Sequence, residues 1–65
     1  NAKTIGKRLS ELRGERTQKD VASAIGVCQS TYSMYENGER IPSDEVKKKI
    51  AKYFKRSVQF IFYEE

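Results

Sequence analysis

The polar residues between Gly26 and Gly38 are mostly amides and hydroxyls. Gln29, Ser30, Thr31 and Ser33 lie in a stretch, 26–38, whose sole charged residue is Glu36. Such side chains present donors and acceptors without net charge, the chemistry of matching a patterned polar surface. The residues that make and break bonds are scarce. The 65-residue chain has no histidine and a single cysteine, Cys28. The usual general base, a cysteine-based zinc set and an internal disulfide are all excluded. No nucleophile–base pair remains, so the chain is read as non-enzymatic, with no cofactor, no metal and no evident small-molecule ligand. Cys28 invites two readings: a thiol activated at a helix N-terminus, or a half-buried, inert substitute for a serine cap, which is the preferred one. Thirteen Lys and Arg stand against nine Asp and Glu, a net charge of +4. Lys47, Lys48, Lys49, Lys52, Lys55 and Arg56 form an acid-free basic run, read mainly as a solvated helix face. A basic, cysteine-poor chain suits a polyanionic partner. No apolar run approaches the ~20 residues that span a bilayer, and the first ten residues lack a signal-peptide pattern, so a cytoplasmic protein without a membrane partner is expected.

The elements that must carry these groups follow from apolar spacing and capping chemistry. At this length, with 37% hydrophobic residues, one small core and a single domain, 1–65, are expected. Ile5, Leu9 and Leu12 share a helix face, with Arg13 beside it and Gly14 as a stop. Thr17 caps a second helix, Val21, Ala22 and Ile25 face inward, and Gly26 ends it. Cys28 stands at the cap of a third helix, in which Tyr32 and Tyr35 share a face and Asn37-Gly38 is the stop. Pro42 requires an extended residue before it. Ser43 caps a fourth helix, with Asp44 and Glu45 in its first turn and Val46, Ile50 and Phe54 on its apolar face. Ser57 caps a short last helix carrying Val58 and Ile61, although Phe60 to Tyr63 also reads as a strand. The fold class is all-α, five short helices.

The second and third helices, about 17–36, read as a helix-turn-helix unit. Ala22 is small where the helices approach, Gly26 turns the chain, Val27 fills the angle, and Tyr32 and Tyr35 anchor the third helix from below. Around it stand Leu9-x-x-Leu12-Arg13, Thr17-Gln18, Gly26-Val27-Cys28-Gln29-Ser30-Thr31, Glu36-Asn37-Gly38-Glu39-Arg40-Ile41-Pro42-Ser43 and Ile50-Ala51-x-x-Phe54-x-x-Ser57-Val58. On these residues the chain resembles the lambda-repressor-like family of phage repressors, Cro proteins and Xre-type regulators. The resemblance runs from residue 5 to about 62. Three features depart from the family pattern. Gly14-Glu15-Arg16 is a shortened turn that loses a core leucine. Cys28 replaces a serine cap. Lys55-Arg56 replaces Gly-Val, and a left-handed Lys55 would cost roughly 1 kcal/mol. Together they predict a marginal monomer.

The resemblance implies sequence-specific binding of double-stranded DNA by a transcriptional regulator, most simply a repressor on a palindromic operator. The third helix would enter the major groove with Gln29, Ser30, Ser33 and Met34 facing the bases. Gln29 can make a paired contact with adenine, and Met34 or Thr31 can pack on a thymine methyl group. Gln18 would bind a phosphate and buttress Gln29, with Thr17, Lys19 and Thr31 adding backbone contacts. Asn37 and Arg40 would contact the backbone or a minor groove, Arg40 being the better groove probe. Arg13 and Glu36 would form an ion pair tying the first helix to the third. One reading head covers half of such an operator, so a homodimer is expected, and Phe60, Phe62 and Tyr63 exceed what a short last helix can bury and are assigned to its interface. Two alternatives stay open: a helical protein–protein interaction module, and an antitoxin that also binds its own operator.

Overall fold

The computed structural model describes residues 1–64. Three of the four α-helices among the described residues begin where a side chain accepts from a free first-turn amide. In α1 (Ala2–Arg13), the Asn1 side chain accepts from the Thr4 amide at 3.0 Å. In α2 (Gln18–Ile25), Thr17 Oγ1 accepts from the Asp20 amide at 3.0 Å, and Gly26 leaves the helix with φ 80°. That left-handed conformation costs glycine little. The α3 helix (Gln29–Glu36) starts at Cys28, whose side chain makes no capping hydrogen bond. In α4 (Asp44–Phe54), Ser43 Oγ accepts from the Val46 amide at 3.4 Å. Lys55 closes α4 with φ 59° and ψ 41°, a left-handed non-glycine residue where the sequence departs from the family.

The last element is a π-type turn, Gln59–Tyr63, and the described residues contain no strand. Its unpaired carbonyls find a donor from far away in the chain. Arg8 Nη1 donates to the carbonyl oxygens of Phe60 at 2.7 Å, Ile61 at 3.2 Å and Glu64 at 2.8 Å. Ser57 Oγ accepts from the Phe60 amide at 3.0 Å, the capping role expected of it.

The core joins all five elements. Ile5, Leu9, Val21, Ala22, Ile25, Tyr32, Tyr35, Ile50 and Ala51 are buried with Ile61 and Phe62 from the terminal turn. Leu12, Val27, Val46, Tyr53, Phe54 and Val58 pack partly buried around them. Phe62 corrects the sequence expectation. It is 6% exposed and belongs to the core of its own chain, so it is not part of an exposed aromatic cluster. Burying such a ring stabilises by about 1.5–3 kcal/mol relative to leaving it exposed to water. Only Phe60 and Tyr63 of that trio remain at the surface, at 37% and 55% exposure.

The close approach of α1 and α3 depends on Gly6, which belongs to no local sequence pattern. A Cβ there would lie 2.7 Å from the Tyr35 carbonyl oxygen and 2.8 Å from the Glu36 carbonyl carbon. These are backbone atoms that cannot rotate away. Glycine inside a helix costs about 1 kcal/mol of propensity, and here that cost lets two backbones touch.

Candidate nucleic-acid interface

The α3 helix has two faces of different chemistry. Tyr32 and Tyr35 point inward, 0% and 4% exposed, with their rings edge to face at 6.3 Å. The opposite side presents Gln29 and Ser30 exposed, Met34 at 38% exposure, and Thr31 and Ser33 half-buried. The short Gly26–Cys28 turn fixes this arrangement, with the Val27 amide bonded to the Ala22 carbonyl at 3.0 Å. The solvent face of α3 is therefore neutral and rich in hydrogen-bonding groups. The helix's one acid, Glu36, is turned away and neutralised internally.

That neutralisation ties three helices together. Arg13 Nε donates to Glu36 Oε2 at 2.7 Å and Arg13 Nη2 to Oε1 at 3.2 Å, the two-pronged ion pair expected from sequence. The Glu36 side chain is 5% exposed and that of Arg13 22%. Gln18 Nε2 donates to the same Oε1 at 2.9 Å, and Arg13 Nη1 donates to the Arg16 carbonyl at 2.7 Å. Burial by itself would raise the Glu36 pKa. The hydrogen bonds from Arg13 and Gln18 outweigh it and hold the carboxyl below its ordinary value. The Glu36 hydrogen bond raises the already high pKa of Arg13. The Tyr32 hydroxyl lies buried beside this network without a well-formed hydrogen bond, and burial, then Glu36, push its pKa far up.

Gln18 thus corrects part of the sequence reading. Its amide is held by Glu36, not by Gln29. The reason is electrostatic, since a carboxylate already fixed by arginine is a stronger acceptor than a neutral amide. The other proposed backbone contacts are placed at one end of the α2–α3 pair or in the loop after it. Thr17 Oγ1 accepts in its cap, which leaves the hydroxyl able to donate outward, and Lys19 is exposed. Asn37 Nδ2 lies at 3.5 Å from Ser33 Oγ as its donor, while Arg40 is exposed and has no ion pair among the described residues.

Cys28 is exposed, not half-buried as expected. Its sulfur lies 3.3 Å from Ser30 Oγ and 3.1 Å from Thr31 Oγ1. Hydrogen bonds from these hydroxyls lower its pKa to about 7. The turn between α2 and α3 therefore carries a polar cluster that couples two proposed recognition residues. Most of the basic run is exposed as expected, Lys48, Lys49, Lys52, Lys55 and Arg56 among it, and Lys47 is the exception. Lys47 lies over the Phe62 and Tyr63 rings, 5.5 and 4.9 Å from their centroids, and donates to the Tyr63 hydroxyl at 3.1 Å. Among the described residues no helix is long and apolar enough to cross a membrane, and no acidic, cysteine or histidine group is arranged to hold a metal.

Comparison with known proteins agrees with this geometry. Residues 3–61 match the helix-turn-helix family profile. The chain is 41% identical over 49 residues to the cryptic phage CTXphi transcriptional repressor RstR of Vibrio cholerae, a match spanning 72% of this chain and 44% of that protein. It superposes on the clp gene regulator ClgR from Corynebacterium glutamicum with a TM-score of 0.83 at 22% identity, over 92% of this chain and 66% of that one. The chain thus spans less than half the length of the curated relative and about two thirds of the solved one.

Proposed function

The chain belongs to the lambda-repressor-like helix-turn-helix family, and we propose that it binds double-stranded DNA in a sequence-specific way and represses transcription from a palindromic operator as a homodimer. The observation that carries this reading is the solvent face of α3, neutral and lined with amide and hydroxyl groups while its acid is internally paired. Base edges in the major groove are distinguished by such donor–acceptor pairs. In this reading, Gln29 takes an adenine edge, Ser30 and Ser33 contact flanking bases, and Met34 packs on a methyl group. Thr17, Gln18, Lys19 and Thr31 serve the phosphate backbone, and Asn37 and Arg40 reach the backbone or the adjacent minor groove. The basic residues of α4 supply attraction that carries no sequence information, so affinity falls with added salt. A second copy places its own α3 in the next major groove, ~34 Å away.

Selection of bound sites from random duplexes at two salt concentrations tests the proposal. The expected result is an inverted-repeat consensus. Gln29→Ala should weaken binding to that consensus by about 1–3 kcal/mol and relax preference at one base pair of each half-site. Equal recovery of all sequences would overturn specific recognition.

A further inference from the structure

We propose that Glu36 is a positioning residue for DNA contact, orienting the Gln18 amide at the start of α2. The inference rests on the DNA-binding reading above and goes beyond it. One carboxylate oxygen, Glu36 Oε1, accepts from both Gln18 Nε2 at 2.9 Å and Arg13 Nη2 at 3.2 Å, while Oε2 accepts from Arg13 Nε at 2.7 Å. Arg13 is fixed in turn by the Arg16 carbonyl at 2.7 Å. A free glutamine side chain has several rotamers and two amide orientations, and ordering one at binding costs conformational entropy. Here that ordering is done in advance. One N–H of the Gln18 amide is committed to Glu36, and its second N–H is left to donate at the half-exposed N-terminus of α2, where phosphate is favoured. Glu36 lies at the far end of α3 from Gln29, yet acts on the backbone contact that sets how deeply the helix pair seats.

The sign of one substitution separates this role from simple electrostatics. Removing a carboxylate from a DNA-binding protein strengthens attraction to a polyanion on charge alone. Positioning gives the opposite result. Affinity for a mixed-sequence 20-base-pair duplex is measured at low salt by fluorescence anisotropy, at a temperature where circular dichroism shows each variant folded. Glu36→Met should weaken binding about 3- to 10-fold. In a Gln18→Ala background the same change should produce no weakening, because the group through which Glu36 acts is gone. Arg13→Met/Glu36→Met removes the pair without leaving a lone buried charge, and repeats the comparison should Glu36→Met fail to fold. In the wild type, the Gln18 side-chain amide resonance should shift on adding duplex. Tighter or unchanged binding by Glu36→Met, equal weakening in both backgrounds, or an unperturbed Gln18 amide would overturn the proposal. Wild-type protein that binds no duplex would overturn the DNA-binding reading itself, a result distinct from any of these.

Discussion

At single residues, the interior chemistry of this molecule is concentrated on one carboxylate. Glu36 holds a folded-state pKa below its unfolded value because Arg13 and Gln18 hydrogen bonds outweigh its burial. A depressed carboxylate contributes stability that is complete above its unfolded pKa and is lost as pH falls through the folded one. Glu36→Gln should therefore be less stable than wild type by about 1–3 kcal/mol near neutral pH. The gap should close as pH drops below the ordinary carboxylate range. Urea unfolding across pH checks this, and a gap independent of pH would refute it. The pairing of Arg13 with Glu36 was legible in the sequence because both residues belong to a recognisable pattern. The attachment of Gln18 to Glu36 was not. An amide can serve many acceptors, and spacing alone does not rank a carboxylate above a neighbouring glutamine.

Among the elements, the contact of α1 with α3 is the tightest constraint. A Cβ at residue 6 would meet backbone atoms of Tyr35 and Glu36, which can move only with the helix. Gly6→Ala should push the helices apart and destabilise the protein by about 1–3 kcal/mol, despite the better helix propensity of alanine. Thermal unfolding checks the sign, and a stabilised variant would show that the helices yield. Helix positions followed from local rules, since Thr17, Ser43 and Ser57 cap what their neighbours propagate. Gly6 escaped that reading because its reason is a contact about thirty residues away. Phe62 escaped for a related reason. Which aromatics of the last turn face inward depends on a π-type backbone, and helical periodicity does not distinguish that backbone from an α-helix.

For the whole molecule, the basic flanks, the neutral face of α3 and the remaining exposed aromatics lie on a small body of 26 × 23 × 22 Å. In the proposed dimer, Phe60 and Tyr63 are the aromatics left for the interface once Phe62 is assigned to the core. Phe60→Ala/Tyr63→Ala should lower the association constant in sedimentation equilibrium by at least tenfold while leaving the circular dichroism spectrum unchanged. Unaltered association would move the interface elsewhere on the surface. Much of the helical architecture was legible in the sequence, because the helix-turn-helix pattern is made of adjacent residues. The grip of Arg8 on the carbonyls of Phe60, Ile61 and Glu64 was not, since it joins residues 52 to 56 positions apart. That separation has a kinetic meaning. Closing so long a loop costs more entropy than the shorter closures that join α1, α2 and α3, by about 0.6 kcal/mol per doubling of length, so the Arg8 grip is expected to form after the barrier to folding has been crossed. Arg8→Met should then leave the refolding rate unchanged and accelerate unfolding by roughly 5- to 30-fold, seen as a shift of one limb of the stopped-flow chevron. A slowed refolding limb would place the grip in the nucleus. On that expectation the guanidinium is a brake on escape from the native state, which leaves the speed of formation to the helices.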